Sequence, residues 1–286
     1  MTVFKNIRHQ NDFDENGYVI LPLLSEEVVQ SLRKLHHDQF IPNDNPTWSL
    51  NAEAGAAKND YIAHETKQLI SPFLDKELTN YVNYGGTFFT KPKGYAELPL
   101  HQDTVMANSE VGFGCYTWMP LEDVTEENGC LFMVKKSHLF FKNLISFTYK
   151  NDVIARSSVP AESIRSLAMK AGEVLFFNGR LFHGSYENKS DSLRVAVNVP
   201  ILGKDVPFVY YNKKNDTTAQ EYYVTAESYR NSYKTYSTGL PPDGAIFSRD
   251  IPYRHTPVNS KLLIKSYYHH SGHTKPFFSK LKEMFV

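Results

Sequence analysis

A histidine and an aspartate that stand two residues apart in a strand-like stretch constrain the fold of this chain most strongly. His101 and Asp103 follow the run Leu98-Pro99-Leu100. Side chains two apart on a β-strand point to the same face, so one short strand would direct an imidazole and a carboxylate at one point. His183 lies eighty residues beyond Asp103, in another strand-like run. Two histidines and one carboxylate on one face of a metal leave its other positions open, which suits non-haem Fe(II) oxygenases.

An arginine opens a further strand-like run after the second histidine. Arg194 lies eleven residues after His183, in an alternating run over residues 193–199. Residues 187–192 are rich in turn formers, so the two strands are predicted to pair as neighbours. Arg194 would then project into the same cavity as His183 and Ser185, where a guanidinium can grip a carboxylate with two hydrogen bonds.

Several motifs surround these residues. They are LHQD at 100–103, WMPLEDVTEENGCL at 118–131 with KKSH at 135–138, AGEVLFF at 171–177, HGS at 183–185, and an opening FDENGYVI at 13–20 with SEEV at 25–28. Together, over roughly residues 10 to 200, the chain resembles the phytanoyl-CoA dioxygenase family of Fe(II)- and 2-oxoglutarate-dependent oxygenases. Lys135-Lys136 departs from the family's usual Pro-Gly, which alters a turn and not the metal site. The long tail after residue 200 is a second departure.

The resemblance implies a mononuclear iron site. Fe(II) would be held by His101, Asp103 and His183, with 2-oxoglutarate and O2 at the remaining positions. Gln102 points off the metal face by strand alternation, so we predict no ligand role for it. Asp103 favours oxidation over halogenation, because the iron halogenases that resemble this family lack this carboxylate and place a halide there.

The resemblance also implies a pocket for the cosubstrate. Arg194 would bind the distal carboxylate of 2-oxoglutarate, and Ser185 would be a second donor. Trp118 matches a family position that lines this pocket, with a purely structural role as the alternative. The expected reaction converts 2-oxoglutarate to succinate and CO2 and hydroxylates an unactivated C–H bond. The cofactor would carry out the oxidation, and the protein would position the substrate. Desaturation, epoxidation and oxidative cyclisation stay open, as does a non-catalytic cupin-like binding or sensor protein.

Hydrophobic periodicity predicts a mainly β fold with flanking helices. A helix is predicted after Ser25, and a second over residues 64–82 with a break near Pro72. Strands are predicted over residues 86–90, 112–119, 130–134, 174–177, 181–185 and 193–200. This order suggests a double-stranded β-helix barrel of the jelly-roll or cupin type. We expect one oxygenase domain over 1–286, with helical support in 1–85, core barrel motifs in 86–202 and a C-terminal extension in 203–286.

Composition narrows the class of partner. The chain has 31 basic and 31 acidic residues, which argues against a general nucleic-acid binder. It has neither a signal peptide nor an apolar run of about 18 residues, so we expect a cytoplasmic protein that does not bind membranes. Cys115 and Cys130 lie in apolar runs and are predicted to be buried free thiols. The expected partner is a small-molecule substrate; the oligomeric state stays open.

The C-terminal extension is rich in tyrosine and basic residues. Residues 203–260 hold 8 of the 18 tyrosines, and from residue 203 onward 12 basic residues face 7 acidic ones. The extension is either a buttress packed on the outside of the barrel or a lid over its mouth. As a lid, its aromatic faces would hold an organic substrate, and its basic excess would favour an anionic group. The segment from Thr235 to Gly244 would be the centre of such a lid.

Overall fold

The computed structural model describes residues 2–40, 55–107, 112–146, 148, 152–231 and 239–271. The helices within these residues are α1 (Ile7–Asn16), α2 (Glu26–Gln39), α3 (Ala56–Glu77), α4 (Ala226–Asn231) and α5 (Ser260–Ser271). The strands are β1 (Tyr18–Pro22), β2 (Tyr81–Asn83), β3 (Thr87–Lys91), β4 (Leu98–His101), β5 (Gly114–Pro120), β6 (Leu131–Val134), β7 (Ile164–Leu167), β8 (Glu173–Phe177), β9 (His183–Ser185), β10 (Arg194–Gly203), β11 (Val209–Lys213), β12 (Thr218–Tyr223) and β13 (Ile246–Pro252). None of the helices in these ranges is long and apolar enough to cross a membrane.

The N-terminal helices begin and end where local chemistry allows. The Asn6 side chain accepts a hydrogen bond from the Arg8 amide at the start of α1, and Gly17 ends that helix in the left-handed conformation. Ser25 occupies the N-cap of α2 as predicted, but its hydroxyl makes no capping bond. The apolar positions Val29 and Leu32 of α2 are buried, in line with its predicted amphipathic pattern.

Helix α3 differs from its prediction. It runs without a break through Pro72 and ends at Glu77, and residues 81–83 form β2. Proline removes the hydrogen bond to the carbonyl four residues earlier, but Pro72 and Gln68 both lie on the exposed side of the helix, where water can satisfy that carbonyl. Ile70 and Leu74 anchor the opposite side in the core, so packing overrides the local preference for a break.

Two antiparallel sheets form the main body. The larger has the strand order β1-β8-β5-β10-β2, and β3 also pairs with β10. The smaller has the order β4-β9-β6-β7. Trp118 and Leu175 of the larger sheet share one buried apolar cluster with Leu131 and Met133 of the smaller, so the two sheets pack on each other. The N-terminal region, predicted as helical support, also contributes β1 and β2 to the larger sheet.

The strands that carry His183 and Arg194 are not neighbours, so that prediction is wrong. Strand β9 pairs with β4 and β6, whereas β10 pairs with β2, β3 and β5 in the other sheet. The connection over residues 187–192 therefore crosses from one sheet to the other. A turn-rich segment fixes where a strand ends, but the choice of partner depends on burial across the whole sheet.

The extension forms a third sheet beside the main body. Its strand order is β11-β12-β13, and Tyr210 and Tyr211 of β11 are buried. Glu221 is buried in this sheet, where it accepts hydrogen bonds from the Tyr211 hydroxyl and the Arg249 guanidinium. Residues 232–238 of the predicted lid, with Tyr233 and Tyr236, lie outside the described residues.

Candidate active site

His101, Asp103 and His183 lie together. One ligand atom from each lies within 4.8 Å of the other two. The Asp103 carboxylate lies 3.9 Å from His101 Nε2 through one oxygen and 3.5 Å from His183 Nε2 through the other. His101 and His183 are register partners on β4 and β9, and their ring centroids are 4.5 Å apart. The three groups can therefore bind one ion on a single face.

Backbone carbonyls fix the orientation of both imidazoles. The Nδ1 atom of His101 lies 2.9 Å from the carbonyl oxygen of Pro99, and that of His183 lies 2.9 Å from the carbonyl oxygen of Leu181. A carbonyl only accepts, so Nδ1 donates in each ring, and Nε2 is the nitrogen left for a metal shared with Asp103. Such second contacts commonly set the tautomer of metal-binding histidines.

Asp103 lies just beyond the strand that was predicted to carry it. Strand β4 ends at His101, and the Asp103 amide donates to the carbonyl of Gly179 at 2.8 Å. This hydrogen bond ties the backbone of Asp103 to the loop that precedes β9. Gln102, for which no ligand role was predicted, is buried, and its amide nitrogen donates to the carbonyls of Phe141 and Arg180.

Burial keeps the first histidine neutral. Desolvation, together with the neighbouring charge of His183, lowers the pKa of His101 to about 4. At neutral pH the ring is therefore uncharged and its lone pair is available, since metals bind the neutral imidazole.

Arg194 is buried, and none of the carboxylates in the described part of the chain lies within ion-pair distance of it. Its Nε and Nη1 atoms are buried and make no hydrogen bond within the described part of the chain. Its guanidinium carbon lies 5.3 Å from the Trp118 ring centre, so the indole packs on the cation. Burial lowers the pKa of Arg194 to about 10, against the opposing influence of Glu122. A buried cation with open donors is suited to a carboxylate ligand.

The site contains a lysine that sequence reasoning missed. Lys91 is fully buried at the end of β3, and its ammonium donates to the Ser185 hydroxyl at 2.9 Å. Its register partner on β10 is Arg194. The strand predicted over residues 86–90 ended one residue before Lys91. The only sequence signal for an inward-facing Lys91 was its spacing of two residues from Phe89, which places both side chains on the same face of a strand.

A cavity of about 380 Å³ opens beside Asp103. Its lining mixes charged, hydroxyl and apolar side chains, including Asp14, Thr104, Tyr116, Arg180, Phe113 and Leu202. The Thr104 hydroxyl also lies 2.8 Å from the hydroxyl of Tyr229 on α4, so the C-terminal extension reaches the residue next to Asp103.

The family departure at Lys135-Lys136 lies in a turn, away from the three candidate ligands. Lys136 has φ 59° in the left-handed region, the conformation that glycine adopts without strain. Its ammonium binds Glu15 of α1 at 2.8 Å. Lysine at position 136 therefore lacks the backbone freedom that glycine would have, but it forms an ion pair with Glu15.

Comparison with known proteins agrees with the motifs. The chain matches the phytanoyl-CoA dioxygenase (PhyH) family over residues 13–196. It is 31% identical over 123 residues to phytanoyl-CoA dioxygenase of Arabidopsis thaliana, which covers 41% of this chain and 42% of that protein. It is 22% identical over 224 residues to the peroxisomal phytanoyl-CoA dioxygenase of Mus musculus, covering 65% of this chain and 64% of that protein. The chain thus spans less than half of the plant relative.

Solved structures share the fold. One is SnoK, a non-haem α-ketoglutarate-dependent carbocyclase from nogalamycin biosynthesis, with 17% identity and a TM-score of 0.50 over 87% of this chain and 96% of that one. Another is HygX from Streptomyces hygroscopicus with nickel, 2-oxoglutarate and hygromycin B bound, with 17% identity and a TM-score of 0.50 over 70% of this chain and 88% of that one. The likeness confirms the predicted jelly-roll type with flanking helices. Since the family match covers more than half of the chain, this protein belongs to the phytanoyl-CoA dioxygenase (PhyH) family.

Proposed function

We propose that this protein is an Fe(II)- and 2-oxoglutarate-dependent dioxygenase that hydroxylates an unactivated C–H bond of a small organic substrate. The observation that carries the proposal is the pairing of two features in one site. His101, Asp103 and His183 converge on one point with both imidazoles oriented by carbonyls. Beside them, Arg194 offers buried donors that no group in the described chain satisfies.

The donor set fits iron and 2-oxoglutarate. Two imidazoles and one carboxylate form a facial set that leaves positions open for a bidentate 2-oxo acid and for O2. Fe(II) held there would supply the oxidation, coupling the conversion of 2-oxoglutarate to succinate and CO2 with oxidation of the substrate. Arg194 would bind the distal carboxylate through its guanidinium, whose Nε and Nη1 atoms make no hydrogen bond in the described part of the chain, with the Ser185 hydroxyl as a second donor. Trp118 would cover the guanidinium face and keep water from this contact.

The cavity beside Asp103 is the proposed substrate site. Its volume suits a small organic molecule, and it adjoins the carboxylate of the metal-ligand set. The hydroxyls of Thr104 and Tyr116 and the guanidinium of Arg180 would orient polar groups, and an anionic group is favoured near Arg180. HygX, which shares the fold, has hygromycin B bound, which supports a small-molecule substrate for this chain.

The test of this proposal is succinate formation. Purified protein with Fe(II), 2-oxoglutarate and O2 should release succinate slowly without substrate and faster when the substrate is added. A protein that binds 2-oxoglutarate but forms no succinate under any condition would be the binding or sensor protein instead. Analysis of the oxidised product by mass would separate hydroxylation, which adds one oxygen, from desaturation or ring closure, which remove two hydrogens.

A further inference from the structure

Two positive side chains lie next to each other in the interior. Lys91 and Arg194 are register partners on β3 and β10, and directly paired residues of antiparallel strands project to the same face. Both are buried, Lys91 completely. No carboxylate in the described ranges lies within 4.0 Å of either one. A charge removed from water without a partner is costly, so this arrangement is one that a bound anion would stabilise.

The contacts of Lys91 determine how the Ser185 hydroxyl can form hydrogen bonds. The ammonium donates to the Ser185 hydroxyl oxygen at 2.9 Å and approaches the Ser185 carbonyl at 3.4 Å. An ammonium has no acceptor, so the hydroxyl oxygen accepts and its own proton must be donated elsewhere. The open donors of Arg194 and this hydroxyl proton are thus available to the same ligand.

The surrounding chain makes room for the lysine. A Cβ atom on Gly129 would lie 3.0 Å from Cδ of Lys91, so a larger residue there would crowd the aliphatic stem. The carbonyl of Lys91 accepts a hydrogen bond from the Asn188 side chain, which anchors the end of β3. Gly129 and Asn188 therefore position Lys91 from two sides, one at the aliphatic stem and the other at the backbone carbonyl.

We propose that Lys91 is the second cation of the cosubstrate site, which adds a positive charge beside Arg194 and directs the Ser185 hydroxyl at the distal carboxylate of 2-oxoglutarate. This inference rests on the proposed function and goes beyond it, because it explains selection of a dicarboxylate. A 2-oxo acid without the distal carboxylate would leave both cations unpaired.

The electrostatics agree with this role. Burial, and after it the charge of Arg194, lower the pKa of Lys91 to about 7, while Glu97, Glu187 and Cys130 act weakly in the opposite direction. The ammonium is thus poorly stabilised in the free protein. A carboxylate bound between the two cations would reverse this effect, because an opposite charge at short range favours the charged form.

The decisive variant is Lys91→Met, which keeps the aliphatic stem and removes the charge. With Fe(II) bound and oxygen excluded, calorimetric titration should show 2-oxoglutarate binding at least tenfold weaker than in the unchanged protein. Binding of 2-oxovalerate, which lacks the distal carboxylate, should change less than threefold. Without cosubstrate the variant should melt at or above the temperature of the unchanged protein, because a buried repulsion is removed. A purely structural lysine would instead lower that temperature.

Controls make each outcome informative. Lys93→Met removes an exposed lysine that pairs with the exposed Asp191, and it should leave 2-oxoglutarate affinity unchanged. If Lys91→Met does not fold, Lys91→Gln, which can still donate to Ser185, should show the same loss of preference for the dicarboxylate. Equal 2-oxoglutarate affinity in the variant and the unchanged protein would overturn the role of Lys91 and leave the proposed function standing. An unchanged protein that binds no 2-oxoglutarate would overturn both.

Discussion

At the scale of single residues, backbone carbonyls orient the two candidate ligand histidines, while the backbone of the aspartate is bonded to the loop beside it. Asp103 is partly exposed, and the hydrogen bond from its backbone amide to the carbonyl of Gly179 does not involve the side chain. The carboxylate can therefore be removed without loss of a core contact. This separates its chemical contribution from its contribution to folding.

Asp103→Ala should reduce succinate formation by at least about a hundredfold, because even the loss of a supporting contact to a metal ligand costs 10–100-fold. The melting temperature should stay close to that of the unchanged protein. Succinate assays, bound iron measured after gel filtration and thermal melts check this. Asp191→Ala, at an exposed position, is the matched control. Near-normal succinate formation by Asp103→Ala would exclude this residue from the metal site.

Arg194→Ala should raise the KM for 2-oxoglutarate by at least about a hundredfold. Removing one partner of a buried charge pair costs roughly 3–5 kcal/mol, which corresponds to two or more decades in affinity. The KM for the oxidised substrate should change far less. Arg165→Ala, on the exposed face of β7, is the control. An unchanged KM for 2-oxoglutarate would remove Arg194 from its proposed role.

At the scale of elements, the short strand β9 carries His183 and Ser185 with a glycine between them. A Cβ atom on Gly184 would lie 2.2 Å from the carbonyl oxygen of Leu98 and 2.7 Å from the Phe132 ring. Strand β9 can approach β4 and β6 this closely only because Gly184 has no side chain. The spacing of the two histidines across β4 and β9 depends on this contact.

Gly184→Ala should lower the free energy of unfolding by about 3 kcal/mol, at the upper end of the usual cost of overpacking. Urea unfolding followed by circular dichroism measures the difference. Gly94→Ala is the comparison, because nothing lies within 4 Å of a Cβ there and only its φ of +72° opposes a side chain. That variant should lose about 1 kcal/mol. A Gly184→Ala protein as stable as the unchanged one would contradict the close approach of β9.

Helix α2 places His36 between aromatic rings. The imidazole stacks on Phe40 and meets Phe88 edge-on, and burial lowers its pKa from 6.5 to about 4. The folded protein therefore binds this proton less readily than the unfolded chain does. The stability that the neutral ring contributes is complete above about pH 6.5 and is lost as pH falls toward 4.

His36→Leu should accordingly be less sensitive to acid. Between pH 7 and pH 4 the unchanged protein should lose about 3 kcal/mol more of its unfolding free energy than the variant, since one pKa unit corresponds to about 1.4 kcal/mol. Urea unfolding at the two pH values provides the measurement. His64→Leu, at an exposed position on α3, should keep the full pH dependence. Parallel pH profiles for the unchanged protein and His36→Leu would refute the assignment.

At the scale of the whole molecule, the C-terminal extension has features of both predicted roles. Its tyrosines on β11 are buried, as a buttress requires. Tyr229 of α4, in contrast, reaches the Thr104 hydroxyl beside the candidate metal site, and Arg230 pairs with Asp60 of α3. The extension thus connects α3 to the wall of the cavity beside Asp103.

Tyr229→Phe should therefore lower substrate oxidation by about threefold to tenfold, the effect of losing a hydrogen bond worth about 1 kcal/mol. The ratio of substrate oxidised to succinate formed should fall as well, because the Thr104 hydroxyl at the cavity wall then keeps Tyr116 but loses Tyr229 as a partner. Product and succinate measured in the same reaction give this ratio. Tyr268→Phe, which alters an exposed contact to Glu162, should leave the ratio unchanged. A lower melting temperature with an unchanged ratio would favour the buttress.

Much of the site could be predicted from the sequence, because the patterns that mark its residues lie within short stretches of the chain. Alternation and turn residues over short stretches were enough to single out four residues. These are His101 and Asp103 by their spacing, His183 by its strand-like surroundings, and Arg194 at the start of a strand. The metal-ligand candidates lie together as these patterns predict. The fold class also follows, because short alternating strands after amphipathic helices leave few ways to bury their apolar faces.

The tertiary structure decided the rest. Strand β9 pairs with β4 and β6 and not with β10, and α3 continues through Pro72, because burial against distant segments outweighs local turn and helix preferences. Lys91 reads as an ordinary strand-end lysine until β3 pairs with β10 and sets it opposite Arg194. The sequence by itself determined which side chains are candidates for a metal site. The pairing of strands far apart in the chain determined which charges face each other inside, since that depends on contacts that no short stretch contains.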